Sequence, residues 1–175
     1  VFKDKQLAID INHVAIQIAD RLKSPIHKWK TIYVLNTFLY HWKKPLREDI
    51  HSFERIIKGC QESGDMLYAG FSSAMDTYKK LNVGYALSLL INDLDYYMNF
   101  LKANEDDYTI DFIQSTNISA RILGDENFPR KKSISNEDFD EDEFENLVLA
   151  KKNYSAVACL HIDRLKVCYY LEEFD

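Results

Sequence analysis

The chain has 175 residues, of which 46% are apolar and 29% charged, and its net charge is −6. This length suits one domain or one compact piece of a larger array, and the composition is that of an ordinary soluble globular protein. The negative charge argues against nonspecific nucleic-acid binding, which needs a basic face, and against docking on anionic membranes. No apolar run nears the ~20 residues of a membrane span, and the charged N-terminus does not resemble a signal peptide.

The first predicted elements are three helices. Proline and glycine are scarce, with 3 and 5 residues, which favours helices over strands. Within residues 5–22 one helical face carries Leu7, Ile11, Val14, Ile18 and Leu22. Ser24-Pro25 supplies a cap and a first-turn proline for a second helix over residues 26–42, which Lys44-Pro45 ends. A third helix is predicted over residues 46–62.

The stretch GCQESGDMLYAG, residues 59–70, predicts a tight helical hairpin. Gly64 suits the left-handed position that ends a helix, and Asp65 is a favoured N-cap for the next helix, predicted over residues 66–81. Small residues such as Ala69 and Gly70 allow two helices to approach closely.

Four more helices are predicted in the second half of the chain. They cover residues 86–103, 107–123, 141–150 and 154–171, and the second of them ends at Gly124-Asp125, the same residue pair as 64–65. Residues 125–140 form a charged connector between helices. No strand is predicted, so the fold class is all-α. The recurrence of Gly-Asp corners predicts an irregular α-α superhelix, a tetratricopeptide-like solenoid of about eight helices.

Four segments carry a resemblance to a known family. They are FLYHWKKPLREDI (38–50), GCQESGDMLYAGFSS (59–73), ISARILGDEN (118–127) and VCYYLEEFD (167–175). In this order they resemble the central helical region of very large signalling proteins of bacteria and fungi. Those proteins combine a serine/threonine kinase-like domain, a STAND-type NTPase module, a tetratricopeptide-like region and often a GAF domain and a histidine kinase. The family patterns HW-x-x-PL and GD-x-x-YAG are matched by His41, Trp42, Pro45, Leu46, Gly64, Asp65, Tyr68, Ala69 and Gly70.

The resemblance implies a place for the chain within a larger protein. Residues 1–175 would form a single helical-repeat segment of a much longer, ATP-dependent two-component signalling kinase. The segment contains no glycine-rich kinase loop, no GxxxxGK[ST] motif and no evident phosphoacceptor histidine box. The enzymatic activity would therefore belong to other parts of the parent protein.

Several polar residues were weighed as candidates for chemistry. His41 next to Trp42 could be a ligand or base, but such a pair more often packs at a helix end. Mg²⁺-diphosphate binding would need paired aspartate-rich helices, and no second set matches the acids of residues 93–111. Those acids are Asp93, Asp95, Asp106, Asp107 and Asp111.

The run EDFDEDEFE, residues 137–145, holds seven acids in nine residues. It could dock a basic partner, or form a phosphorylatable loop with Ser133 and Ser135, but we favour a solvated connector whose acids cap a short helix and whose Phe139 and Phe144 anchor it.

Cysteine and histidine give no catalytic pattern. Cys60, Cys159 and Cys168 contain no CxxC pair and fit reduced thiols of a cytoplasmic protein, placed on apolar helical faces. No ligand spacing joins the four remaining histidines, His13, His27, His51 and His161. An aromatic groove is conceivable in residues 85–100, although in a solenoid those rings mostly fill the core.

The sequence thus predicts a non-catalytic scaffold for contacts with protein partners or with other domains of the parent, with no bound cofactor or metal and no nucleic-acid or membrane partner. Homo-oligomers through exposed end repeats are a further expectation. The alternative is an independent all-α enzyme or small-molecule binder with a pocket between hairpins.

Overall fold

The structure, a computed structural model, is all-α. It describes residues 4–125 and 133–172, apart from the side chain of Asp49. These residues form eight α-helices, and they contain no strand, only an isolated bridge between Asn136 and Phe139. The helices are α1 (Lys5–Arg21), α2 (Pro25–Val34), α3 (Ser52–Glu62), α4 (Met66–Asn82), α5 (Leu87–Ala103), α6 (Asp107–Gly124), α7 (Glu141–Ala150) and α8 (Tyr154–Tyr170).

Side-chain caps fix where several helices begin. The carboxylates of Asp4, Asp106 and Asp140 accept backbone N–H groups at the starts of α1, α6 and α7, and the Asn153 side chain does the same for α8. Each cap satisfies a donor that has no partner within the helix. The predicted bounds of these helices agree with the structure to within one residue at either end, and those of α7 are identical.

The chain divides into two compact units between Lys79 and Lys80, a boundary that falls within α4. In the first unit α2 packs against both α1 and α3, and Ile9, Leu35 and Leu39 form a buried cluster. In the second unit α6 packs against α5 and α8, and α7 against α8. Its buried cluster contains Ile118, Ile122, Ile134, Phe139, Leu160 and Val167. Whether residues 1–175 form a single repeat segment stays a prediction.

The second predicted helix is not α-helical over its whole length. The α-helix ends at Val34 and continues as a π-helical turn, Leu35–Leu39, and a 3₁₀ turn, Tyr40–Trp42. The Tyr40 N–H donates to the Leu35 carbonyl, one residue further back than in an α-helix. Leu35 and Leu39 of this turn are both buried, whereas Phe38 stays exposed.

The third predicted helix begins later than expected. Residues Leu46–Asp49 form a separate 3₁₀ turn, and α3 starts only at Ser52. Pro45 has ψ of 140°, so the chain enters this turn from an extended conformation, as proline often imposes. His51, the residue before α3, has ψ of 12°, which is not an α-helical value, so the α-helix begins only after it.

The two Gly-Asp corners are not equivalent. Gly64 has φ of +80°, and the Asp65 N–H donates back to the Cys60 carbonyl, so this helix ends in a left-handed corner as predicted. Gly124 is instead the last residue of α6, its φ lies outside the left-handed region, and Asp125 is extended. The predicted equivalence of 124–125 with 64–65 was therefore wrong. No α-helix of the described residues is long and apolar enough to cross a membrane.

Candidate functional site

Helix α1 is apolar on two sides. Its inner side carries Ile9 and Ala19, which are 1% and 5% exposed. Its outer stripe, defined here as Leu7, Ile11, Val14, Ile18 and Leu22, remains between 50% and 73% exposed. The predicted stripe is thus a real helical face, but it is not part of the core. Exposed large apolar side chains are normal singly, whereas five along one helix form a contiguous surface that indicates a binding site.

A groove of about 600 Å³ runs along one side of the outer stripe. Leu7, Ala8 and Ile11 line it from α1. Val34, Phe38 and Leu39 line it from the end of α2 and the π-helical turn. Phe38 is 55% exposed, so it extends the apolar surface of the stripe across the groove.

The polar groups at this groove are held by local contacts. Asp4 Oδ1 accepts the Leu7 N–H at 2.9 Å, and the Asn12 amide donates to the Ala8 carbonyl at 2.9 Å. A groove that is mostly apolar, with its amide already bonded, suits an apolar side chain better than a polar metabolite.

The predicted His41-Trp42 pair lies on the surface of the first unit. Trp42 is 57% exposed, its ring lies 4.8 Å from that of His41, and the Lys5 ammonium is 3.4 Å from the indole centroid. This contact is a cation–π interaction that ties the 3₁₀ turn to the start of α1. Pro45 and Leu46 follow it in the exposed turn before α3.

The remaining motif residues build the α3–α4 hairpin. Asp65 Oδ1 accepts the Tyr68 N–H at 3.3 Å, and its second oxygen lies 3.1 Å from the Lys30 ammonium. The same ammonium lies 4.8 Å from the Tyr68 ring. Ala69 and Gly70 are buried, as expected where a helix needs small residues. The GD-x-x-YAG pattern therefore serves a structural corner that also anchors α2.

Four of the five acids considered for metal binding have other partners, and Asp107 lies exposed in the first turn of α6. Asp93 pairs with the buried Lys80 at 2.8 Å, and Asp111 with Lys151 at 2.9 Å. Asp95 pairs with Arg121, and Asp106 caps α6. Within the described ranges, no three histidine, cysteine or acidic side chains come close enough together to hold a metal ion.

The acidic run has the structural role that we favoured. Asp140 Oδ1 accepts the N–H groups of Asp142 and Glu143 at the start of α7. Phe139 is buried, and its ring lies 5.3 Å from that of Phe144. Acids in a first helical turn also interact favourably with the helix dipole. The basic residues 130–132 lie outside the described residues.

The cysteines are not placed as nucleophiles. Burial raises the pKa of Cys60 to about 12 and that of Cys159 to about 12, with nearby Asp65 and Asp163 as smaller contributions in the same direction. A thiol with so high a pKa carries almost no thiolate near neutral pH. All three cysteines are free thiols.

The histidines other than His41 each have a separate local contact. His13 lies 3.2 Å from the Tyr40 hydroxyl and His27 2.7 Å from Ser24. His51 pairs with Glu54 and His161 with Glu145. These contacts are with different elements, so the histidines do not converge on one site. In the aromatic segment 85–100, Tyr97 is buried and Tyr96 exposed, so one ring belongs to the core and the other does not.

The sequence did not predict the buried charged residues, of which Asp163 has the most complete set of partners. Asp163 of α8 is fully buried and accepts from the Ser115 and Thr116 hydroxyls at 2.9 and 2.8 Å and from Lys166 at 3.0 Å. Asp163 lies on the same face of α8 as the apolar residues Leu160 and Val167, and this spacing could have predicted its burial. With all these donors in place, the carboxylate joins α6 to α8 and is a structural group.

Comparison with known proteins identifies no relative, since no family, no curated protein and no solved structure matches the chain. What the described surface offers is an apolar helical stripe beside an apolar groove, a combination that can bind another helix but supplies no reacting group.

Proposed function

We propose that this chain is a non-catalytic helical module whose outer stripe and adjoining groove bind an amphipathic helix of another protein or domain. The single observation that carries the proposal is the exposure of five large apolar residues along α1 while Ile9 on its inner side is buried. Helix-in-groove recognition uses anchors three and four residues apart, and the spacing of Leu7, Ile11 and Val14 provides them.

The wider setting is part of the same proposal. The motif resemblance supports a helical-repeat segment, an irregular α-α superhelix, within a cytoplasmic multidomain signalling kinase that carries an NTPase module. Small-angle scattering from the purified chain tests the superhelix, because an elongated particle would exceed the radius of gyration of a compact fold of 175 residues, about 16 Å. The reading frame around the segment tests the parentage through its kinase and NTPase motifs.

The binding function can be tested with a display library of helical peptides. Selection against the wild-type chain should enrich peptides with apolar residues at three- and four-residue spacing. Those peptides should lose at least tenfold in affinity for the Ile11→Glu variant and keep their affinity for Leu89→Glu, which alters an exposed leucine on α5. Enriched peptides that bind all three proteins equally would contradict the proposal.

A small-molecule binder is the second candidate, because the groove has the volume of many ligand sites and an apolar lining. Thermal unfolding in the presence of nucleotides, Mg²⁺-diphosphates and apolar metabolites tests it. A rise of several degrees with one compound, abolished by Phe38→Ala, would favour this candidate over the helix-binding module.

A further inference from the structure

We infer that the occupant of the outer stripe is helix α1 of a second copy of this chain, lying antiparallel to the first. This inference rests on the proposed function, since it names the partner for the same surface. The order of the residues along the stripe, the charges at its two ends and its area all support this pairing.

The spacing of the stripe is that of a helix pair. Leu7, Ile11, Val14 and Ile18 alternate steps of four and three residues, the a/d pattern of helices that pack along their length. In an antiparallel pair the a position of one helix faces the d position of the other. Leu7 then lies opposite Ile18 of the second copy, and Ile11 lies opposite Val14.

The small residues beside the stripe allow close approach. In the same register, Ala8 falls near Ala15 of the second copy on the side that borders the groove, and both alanines are only partly exposed. Small side chains along one edge let two helix backbones come nearer, and Leu22 of the second copy then lies beside the groove. The pairing that covers the stripe therefore also brings an apolar side chain to the groove.

Charge decides the orientation. One layer beyond Leu7 and Ile18 the antiparallel register places Asp4 opposite Arg21 of the second copy, and the two-fold axis repeats this pair at the other end. Both residues are exposed, and Asp4 uses only one carboxylate oxygen for its cap. A parallel pair would set Asp4 against Asp4 and Arg21 against Arg21, which costs free energy at each end.

The area is sufficient for a reversible dimer. With roughly 100 Å² exposed on each, the five stripe residues and Phe38 offer about 600 Å² per copy, or about 1,200 Å² per pair, the lower end of specific interfaces. Weak, reversible complexes lie at this end of the size range, so we expect dissociation at micromolar concentrations. The contact is isologous, so it closes at two copies and does not propagate.

Sedimentation equilibrium between about 1 and 100 µM tests the dimer, because that range brackets the expected dissociation constant. The wild-type chain should pass reversibly from monomer to dimer, Ile11→Glu should stay monomeric, and Leu89→Glu should behave as wild type. A wild-type monomer throughout, or an Ile11→Glu variant that still dimerises, would overturn the inference. Helical peptides that still bind the stripe would then leave the proposed function standing.

Cross-linking tests the orientation. Leu7→Cys and Ile18→Cys are made separately in a Cys168→Ser background, in which the remaining thiols, Cys60 and Cys159, are buried. Positions 7 and 18 lie about 16 Å apart along the helix, too far for a disulfide between like positions of an antiparallel pair. A mixture of the two proteins should therefore give mixed disulfide dimers, and neither protein alone should. Self-linked dimers, or no mixed product, would refute the antiparallel register.

The end charges give a salt-sensitive readout. Arg21→Glu should weaken dimerisation about threefold to tenfold at low salt and much less at high salt. Adding Asp4→Asn, which keeps a capping side chain but removes the repulsion between Asp4 and the glutamate introduced at position 21, should restore part of the loss. An Arg21→Glu dimer as stable as wild type at low salt would contradict the predicted pairing.

Discussion

Gly59 and Gly64 lie five residues apart in one hairpin, yet they are glycines for different reasons. A Cβ at Gly59 would lie 1.9 Å from Cε2 of Trp29, so the indole occupies the space of a side chain. A Cβ at Gly64 would meet nothing within 4 Å, but its φ of +80° is strained for any other residue. The first glycine provides room for packing and the second provides a backbone conformation.

Alanine substitutions separate these two roles. Gly59→Ala should lower the free energy of unfolding by about 2–3 kcal/mol, because Trp29 must move out of a close contact. Gly64→Ala should cost only about 1 kcal/mol, from backbone strain. Urea unfolding measures both, and a change in tryptophan emission should accompany the first variant alone. A larger loss for Gly64→Ala would mean that the Trp29 contact is easily relieved.

Asp163 tests whether a buried carboxylate stabilises the second unit. Asp163→Ala should cost about 3 kcal/mol or more, because the Ser115 and Thr116 hydroxyls and the Lys166 ammonium lose their common acceptor. Asp107→Ala, in the exposed first turn of α6, should cost under about 1 kcal/mol. Both are measured by thermal or urea unfolding, and equal losses would show that the buried network contributes little.

At the scale of elements, α1 shows what periodicity can predict. The helix and its apolar face followed from residue spacing, because apolar residues three and four apart share a side of any helix. Its exposure did not follow, because Ile9 and Ala19 form a second, shorter apolar side, and which of two sides is covered depends on neighbours distant in sequence. The candidate site was therefore visible as a pattern but not as a surface.

Substitution of two isoleucines of α1, one on the buried side and one on the exposed side, measures how much each side contributes to stability. Ile9→Ala should lower the free energy of unfolding by about 2–4 kcal/mol, since it opens a cavity in the buried cluster with Leu35 and Leu39. Ile11→Ala should change it by less than about 1 kcal/mol, because that side chain is 58% exposed. Unfolding should be measured at sub-micromolar protein concentration, where the chain is monomeric and dimerisation adds nothing to the free energy of unfolding. Equal losses would place both sides of α1 in the core.

The turns around α2 and α3 show where sequence reasoning fails. Residues 35–42 and 46–49 have the composition of helices, and helices were predicted there. In 3₁₀-, α- and π-helices the backbone N–H bonds the carbonyl of the third, fourth or fifth preceding residue, respectively. Amino-acid composition does not distinguish these three patterns. At the Gly64 and Gly124 corners the same dipeptide has two conformations, because a glycine permits a left-handed φ without requiring it.

At the scale of the whole molecule, each unit holds one buried thiol, Cys60 in the first and Cys159 in the second. Burial raises both pKa values to about 12, whereas a thiol of the unfolded chain titrates near 8.5. The unfolded state therefore loses these protons first. The contribution of the thiols to stability is complete below about pH 8.5 and declines as the pH rises towards 12.

This linkage predicts how stability depends on pH. The free energy of unfolding should fall between pH 8.5 and about 10.5, and the fall should be smaller in the Cys60→Ala/Cys159→Ala double variant than in the wild type. Urea unfolding across this range measures the difference between the two slopes. Lysines and tyrosines also titrate in this range, but they do so in both proteins and cancel in the comparison. Identical slopes for the wild type and the double variant would therefore show that the thiols ionise as easily in the native state as in the unfolded one.

The π-helical turn of residues 35–39 has a consequence for chain length. A π turn corresponds to an α-helix with one added residue, so removing a single residue there would let the α-helical pattern continue from α2. Tyr40 would then be four residues after Leu35 and could keep its hydrogen bond to the Leu35 carbonyl, so the positions after the turn would stay on the same faces. Deleting Phe38 itself would therefore take its ring out of the groove while Leu35 and Leu39 stayed in the core, so a single-codon deletion would shrink this surface without replacing any amino acid.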